Sequence, residues 1–204
     1  MPFYAIDGVR PVAHPSSFIH PTASIIGDVI IGAHCYIGPG ASLRGDFGRM
    51  VIEEGANIQD TCVLHSFPRA ECRVGPNGHI GHGAVLHGCV VEEAALVGMN
   101  AVLMDGVVVG ESSIVAAMSF VKAGFEIPAR CLAAGAPVRI LRELKEQELE
   151  WKRTGTEDYH ELARRSLASM VEVTPLPEIE DDRPELQLAD AVPLYQLKQG
   201  QREG

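Results

Sequence analysis

Val91-Glu92-Glu93-Ala94-Ala95-Leu96-Val97-Gly98-Met99-Asn100-Ala101-Val102-Leu103 carries one pattern twice. A large aliphatic residue recurs every six positions, at Val91, Val97 and Leu103, with a small residue four positions after, at Ala95 and Ala101. Upstream, Ile19, Ile25, Ile31, Ile37 and Leu43 keep the same period, which slips by three and resumes at Ile52, Ile58 and Leu64. After an irregular stretch it returns at Ile80, slips by one, and runs from Val85 through Val91 and Val97 to Ile127. A helix spaces its apolar residues by three and four, so this period excludes one. A short strand and a corner, stacked on copies of itself, fits. Gly-Asp, Gly-Pro-Gly and Asp-Gly between the apolar positions supply the corners.

Two stretches break the register. Gly45 to Val51 reads as a short insertion and Ser66 to Gly78 as a longer loop. Each is either a functional loop on a rigid scaffold or a tolerated surface insertion. After Pro137 the pattern changes. Leu141, Leu144 and Leu149 lie among charged residues, as on an amphipathic helix. Gly155 interrupts that helix. Thr156 then caps a second one, striped by Tyr159, Leu162, Ala163, Ser166, Leu167 and Met170. The proline-rich, charged stretch after Thr174 reads as an extended tail. The expected division is a repeat domain over 1–137, a helical segment over 138–173 and a tail over 174–204.

Composition narrows the function. A net charge of −10 and a pI near 5.2 argue against nucleic acid or an anionic membrane as partner. No apolar run is long enough for a membrane span, and Met1-Pro2-Phe3-Tyr4 does not open a secretory signal. Cys35, Cys62, Cys89 and Cys131 fall on the small inward position and read as buried thiols. Cys72, in the irregular stretch, is left as the candidate for reactivity. Five unpaired cysteines suit a reducing cytoplasm.

Three of the eight histidines stand out. His82 and His87 lie five residues apart inside the repeat, and His65 ends Ile58-Gln59-Asp60-Thr61-Cys62-Val63-Leu64-His65. Three neutral imidazoles with one open position is a set that zinc uses for hydrolysis and hydration; iron or cobalt suits it too. His79 is ambiguous and can equally stack at a corner. His14, His20, His34 and His160 have no metal-like partner in the sequence and read as surface or packing residues.

The hexads over residues 10–137 resemble the hexapeptide-repeat family, which implies a left-handed parallel β-helix, here followed by the C-terminal α-helices read above. Seventeen hexads, three to a triangular coil, would make about six coils. Adjacent hexads lie on different faces of such a prism, so His82 and His87 do not easily converge on one ion within a subunit, and a site shared between subunits solves this. Within the family, Arg44-Gly45-Asp46, Asn57, Gln59-Asp60, His65 and Gly81-His82…His87-Gly88 are similar to the γ-class carbonic anhydrases. That resemblance implies a homotrimer with zinc at each interface. It implies His65 and His87 from one subunit and His82 from the next. Gln59 would orient the metal's water, Asp60 and Asn57 would position neighbours, and Arg44 and Asp46 would form an interface ion pair. The chemistry would be attack by metal-bound hydroxide on CO2 or on an ester or thioester carbonyl.

The class places a proton-shuttling glutamate after Arg-Gly-Asp, where this chain has Phe47. Glu71 is the one acid in the longer loop. A narrower resemblance covers residues 1 to about 165 and includes Ile26-Gly27-Asp28-Val29-Ile30, Leu43-Arg44-Gly45-Asp46-Phe47-Gly48-Arg49 and Gly98-Met99-Asn100-Ala101. It points to proteins of phenylacetic acid degradation and their carnitine-operon relatives, and implies a thioesterase acting on acyl-CoA. The readings are then a metal-dependent thioesterase, a γ-class carbonic anhydrase acting on CO2 and bicarbonate, a metal-free hexapeptide acyltransferase, or a non-catalytic trimer.

Overall fold

The hexads close into a left-handed parallel β-helix of about seven turns. The structure, a computed structural model, describes residues 3–186 and 192–199. Most hexads contribute a strand of two or three residues and a corner. Each strand pairs in parallel with its counterpart one coil away. Asn57–Ile58, for example, lies between Tyr36–Ile37 and His79–Ile80.

Three faces result. The first runs from Phe18–Ile19 to Cys131–Ala134 and ends on the antiparallel strand Arg139–Glu143. The second and third are joined, because Ser24–Ile31 and Ser42–Ile52 run unbroken from one to the other. The interior is made of columns of like residues. On the second face Ile25, Leu43, Leu64, Leu86, Leu103 and Val121 stack in register, and all are fully buried. The small residues Ala23, Cys35, Ala41, Ala56, Cys62, Ala84, Ala95 and Ala101 fill the space between columns.

Several details differ from the sequence expectation. The inward residue after Ile80 is Leu86, while Val85 is half-buried. Six-residue spacing therefore holds from Ile80 to Leu86, and the short hexad is the next one, Leu86 to Val91. Ser66 to Gly78 is not all loop: Glu71–Val74 pairs with Arg49–Ile52 and with Val90–Val91 and sends Cys72 and Val74 inward. That hexad helps bring the count to about seven coils instead of six. Cys72 is therefore fully buried against Cys89, which removes it as a reactive surface thiol.

Beyond the β-helix, Leu141 lies on the strand Arg139–Glu143 and not on a helix. One helix, α1, spans Glu146–Ser169 and passes through Gly155 without a break. Interior glycine costs a helix roughly 1 kcal/mol, which tertiary anchors on both sides offset. Lys152 Nζ donates to Asn77 O at 2.9 Å, and His160 Nε2 bonds Gly55 O at 2.8 Å. Thr156, expected as an N-cap, is buried mid-helix and donates its hydroxyl to Lys152 O. Glu148 caps the start, accepting from Lys145 N and from the Arg142 guanidinium. Past an exposed stretch, a short helix α2, Leu194–Gln199, returns to α1, where Trp151 Nε1 donates to Val192 O at 3.1 Å. Among the described residues no helix is long and apolar enough to cross a membrane.

Candidate metal centre

The corner between the second and third faces departs from the repeat on three successive coils. Asp46-Phe47-Gly48 bulges out of Ser42–Ile52, Ser66–Ala70 follows His65, and Gly88 shortens the hexad after His87. Gly45 and Gly48 make the first bulge possible. A side chain at Gly45 would run into the backbone of Asp28, and one at Gly48 into Ser66 and the Phe67 carbonyl.

Parallel register places His65 directly beside His87. A polar chain then runs along the corner. Arg44 Nη1 donates to Asp46 Oδ2 at 2.8 Å, and Asp46 Oδ1 is 3.0 Å from His65 Nε2. His65 Nδ1 is 3.2 Å from His87 Nε2, and His87 Nδ1 is 2.7 Å from Asp105 Oδ1. Carboxylates accept and do not donate, so each histidine gives its one N–H to its aspartate. With both rings neutral, the two nitrogens that face each other carry lone pairs, and a proton or a metal ion between them would satisfy both.

The spacing suits a metal. Two imidazoles at about 2.0–2.1 Å from a tetrahedral ion hold their nitrogens about 3.3 Å apart. A carboxylate on the remote ring nitrogen is the usual support of a metal-binding histidine.

His82 lies on the other edge of the second face, in the corner before Val85–His87, and does not join the pair. It has the same support, with Nδ1 2.5 Å from Asp60 Oδ2, which leaves Nε2 free. His82 and Asp60 are both well exposed. Among the described residues no three metal-binding side chains gather within one chain.

Gln59 is buried and fully engaged. Its amide nitrogen donates to Asn57 Oδ1 at 3.0 Å and to His79 Nε2 at 2.7 Å, and its oxygen accepts the His82 backbone N–H at 3.2 Å. Within the chain it fixes the backbone of His82, and Asn57 fixes Gln59. His79 closes this group. Burial, with Lys152 and His82 nearby, pushes its pKa down to about 3, so it is neutral.

Two residues were not singled out from the sequence. Asp105 lies in an ordinary Asp-Gly corner, and only the stacking of coils shows that it faces His87. Phe67 stands 5.0 Å from the His87 ring, as Phe47 stands 5.4 Å from that of His65; both phenyl rings are exposed. Glu71 is exposed at the start of its strand. If this corner holds a divalent ion, Asp105→Asn should weaken its binding by about 10- to 100-fold, the usual loss when such a support is removed. Chelator competition measures this, and unchanged affinity would show that Asp105 does not serve the site.

Residues 14–45 match the family described as bacterial transferase hexapeptide (six repeats). The carnitine operon protein CaiE of Salmonella agona is 56% identical over 186 residues, covering 91% of this chain and 94% of the relative. A solved hexapeptide transferase family protein from Anaplasma phagocytophilum is 36% identical, with a TM-score of 0.77, over 79% of this chain and 96% of its own. AntD, an N-acyltransferase from Bacillus cereus, shares the fold alone, at 17% identity and a TM-score of 0.58 over 76% of this chain and 89% of its own. With its repeats, its corner geometry and these relatives together, the chain belongs to the hexapeptide-repeat family that includes the carnitine operon protein CaiE.

Proposed function

We propose that this protein is a trimeric, metal-dependent hydrolase of acyl-CoA thioesters. The observation that carries the reading is the chain Asp46–His65···His87–Asp105, with two ring nitrogens facing each other at 3.2 Å and a carboxylate on the far nitrogen of each ring. His65 and His87 would hold a divalent ion, zinc or else iron or cobalt, and His82 of a neighbouring subunit would complete the set. The ion would supply a Lewis acid that makes water acidic enough to react near neutral pH. Asp46, Asp60 and Asp105 fix the imidazole tautomers, Gln59 and Asn57 hold the His82 backbone, and Arg44 keeps Asp46 turned toward His65. In the reaction, water adds to the thioester carbonyl, the C–S bond breaks, and the free acid and the CoA thiol leave.

Thioesters are favoured over CO2 by Phe47. An exposed phenyl ring stands beside His65 where a proton acceptor would serve rapid CO2 hydration. A slow thioester turnover tolerates slow proton export, whereas fast hydration does not. Phe47→Glu is expected to raise CO2 hydration, by up to about 100-fold at low buffer, with little effect on thioester hydrolysis. Wild-type protein that hydrates CO2 near the diffusion ceiling of about 10⁸ M⁻¹s⁻¹ and turns over no CoA thioester would make it a carbonic anhydrase.

The tie to phenylacetic acid degradation rests on resemblance, while the relative compared is a carnitine operon protein. Phenylacetyl-CoA therefore belongs in the assay panel beside aliphatic thioesters. The second reading, an acyltransferase, draws on the likeness to the Anaplasma hexapeptide transferase family protein. Acyl transfer to an added amine or alcohol that is faster than hydrolysis, and insensitive to chelators, would favour it.

A further inference from the structure

Helix α1 packs on the first face of the β-helix at Phe18 and Tyr36, through Tyr159, Leu162 and Ala163, and stands off that face further along. Between them lies a cleft of about 410 Å³. The side chains of Leu96 and Ile114, pointing away from the β-helix core, form its floor with Ala116. Trp151 and Tyr159 of α1 form a wall, and Leu194 of α2 reaches over it. Packed layers ordinarily leave few voids larger than a water molecule. A mostly apolar space of this size is instead typical of small-ligand sites, which run from about 300 to 1,000 Å³.

The polar groups of the cleft explain its direction. Gln59, His79 and His82 line one end. Gln59 and His79 satisfy each other, which leaves the exposed His82 ring beside the half-exposed Met99 at the mouth. Glu148 also lines the cleft, but Arg142 and the Lys145 N–H engage its carboxylate. The space is thus neutral and apolar, and it opens beside a residue of the metal centre.

We propose that this cleft binds the apolar acyl group of a CoA thioester and points the thioester toward His82. The proposal rests on the hydrolase reading of the histidine centre, and its test is independent of turnover. Trp151 is the single tryptophan of the chain, so its fluorescence reports occupancy directly. The purified protein is titrated with non-hydrolysable S-ethyl-, S-butyl-, S-hexyl- and S-octyl-CoA, with CoA alone as control. Affinity is expected to rise roughly three- to fourfold per methylene, with a fluorescence change that CoA alone does not give.

Ala116→Phe, which fills the floor, should weaken S-octyl-CoA at least tenfold. Leu194→Asp puts a charge over the cleft from a peripheral helix and should weaken the long chain in the same sense, so the test survives if Ala116→Phe does not fold. Chain-length-independent binding, or folded variants that bind S-octyl-CoA as wild type does, would overturn the cleft while leaving a thioesterase standing. Chain-length-dependent binding in a protein that hydrolyses no thioester would keep the cleft and sink the hydrolase reading.

Discussion

His87→Ala is expected to strip the metal from the purified protein and abolish thioester hydrolysis with it. The imidazole is a direct ligand in this account, so the loss should exceed the roughly 10- to 100-fold that accompanies loss of an outer support such as Asp105. The same holds for His65→Ala. It holds for His82→Ala as well, although that ring lies on the far edge of the second face, because each ion would draw on two subunits. Elemental analysis of the three variants, with circular dichroism to confirm the β-helix, checks this. His82→Ala protein that keeps full metal would confine the centre to the His65–His87 corner.

The second large effect lies in the stack. Leu86 is fully buried between Leu64 and Leu103. Leu86→Ala should therefore destabilise the protein by about 2–5 kcal/mol, the usual cost of such a cavity. Val85, half-buried on the outward side of the same strand, should cost under about 1.5 kcal/mol on truncation. Urea denaturation at a fixed protein concentration compares the two, since the stability of a trimer would depend on concentration. The opposite order would restore the register that the bare periodicity suggests. A misassigned register at this strand would also turn His87 away from His65, so the experiment bears on the site as well as on the core.

That strand shows what the sequence makes legible and what it hides. Period six, with a small or slim residue four positions after most of the large ones, is enough to specify a stacked strand-and-corner fold. Val85 and Leu86 are both aliphatic, however, and only pairing with Leu64 and Leu103 decides which points inward. The irregular stretch hides a strand for the same reason: Cys72 and Val74 become recognisable as a hexad only when placed beside Met50 and Ile52. Gly155 misleads because local propensity favours a break, whereas contacts of Lys152 and His160 with the β-helix hold one helix through it.

The candidate site divides in the same way. His65, His82 and His87 can be picked out as residue types at unusual positions in a regular repeat. Asp105 cannot, because its partner lies one coil away and Asp-Gly is ordinary corner chemistry. Gln59 illustrates a subtler gap. Its position beside the motif is visible in sequence, while its engagement by Asn57, His79 and the His82 backbone depends on how two coils stack.

The central claim is that one metal centre is built from two subunits, and mixed trimers test it most directly. His82→Ala chains and His65→Ala chains are each expected to form metal-free trimers. When the two are unfolded together and reassembled, every mixed ring places one intact His65–His87 pair against one intact His82. In a cyclic trimer that happens at about one interface in three. The account predicts that metal returns to the mixture, at about one ion per mixed trimer, although neither parent holds any. A mixture that stays metal-free after verified subunit exchange, or parents that each bind metal alone, would contradict it.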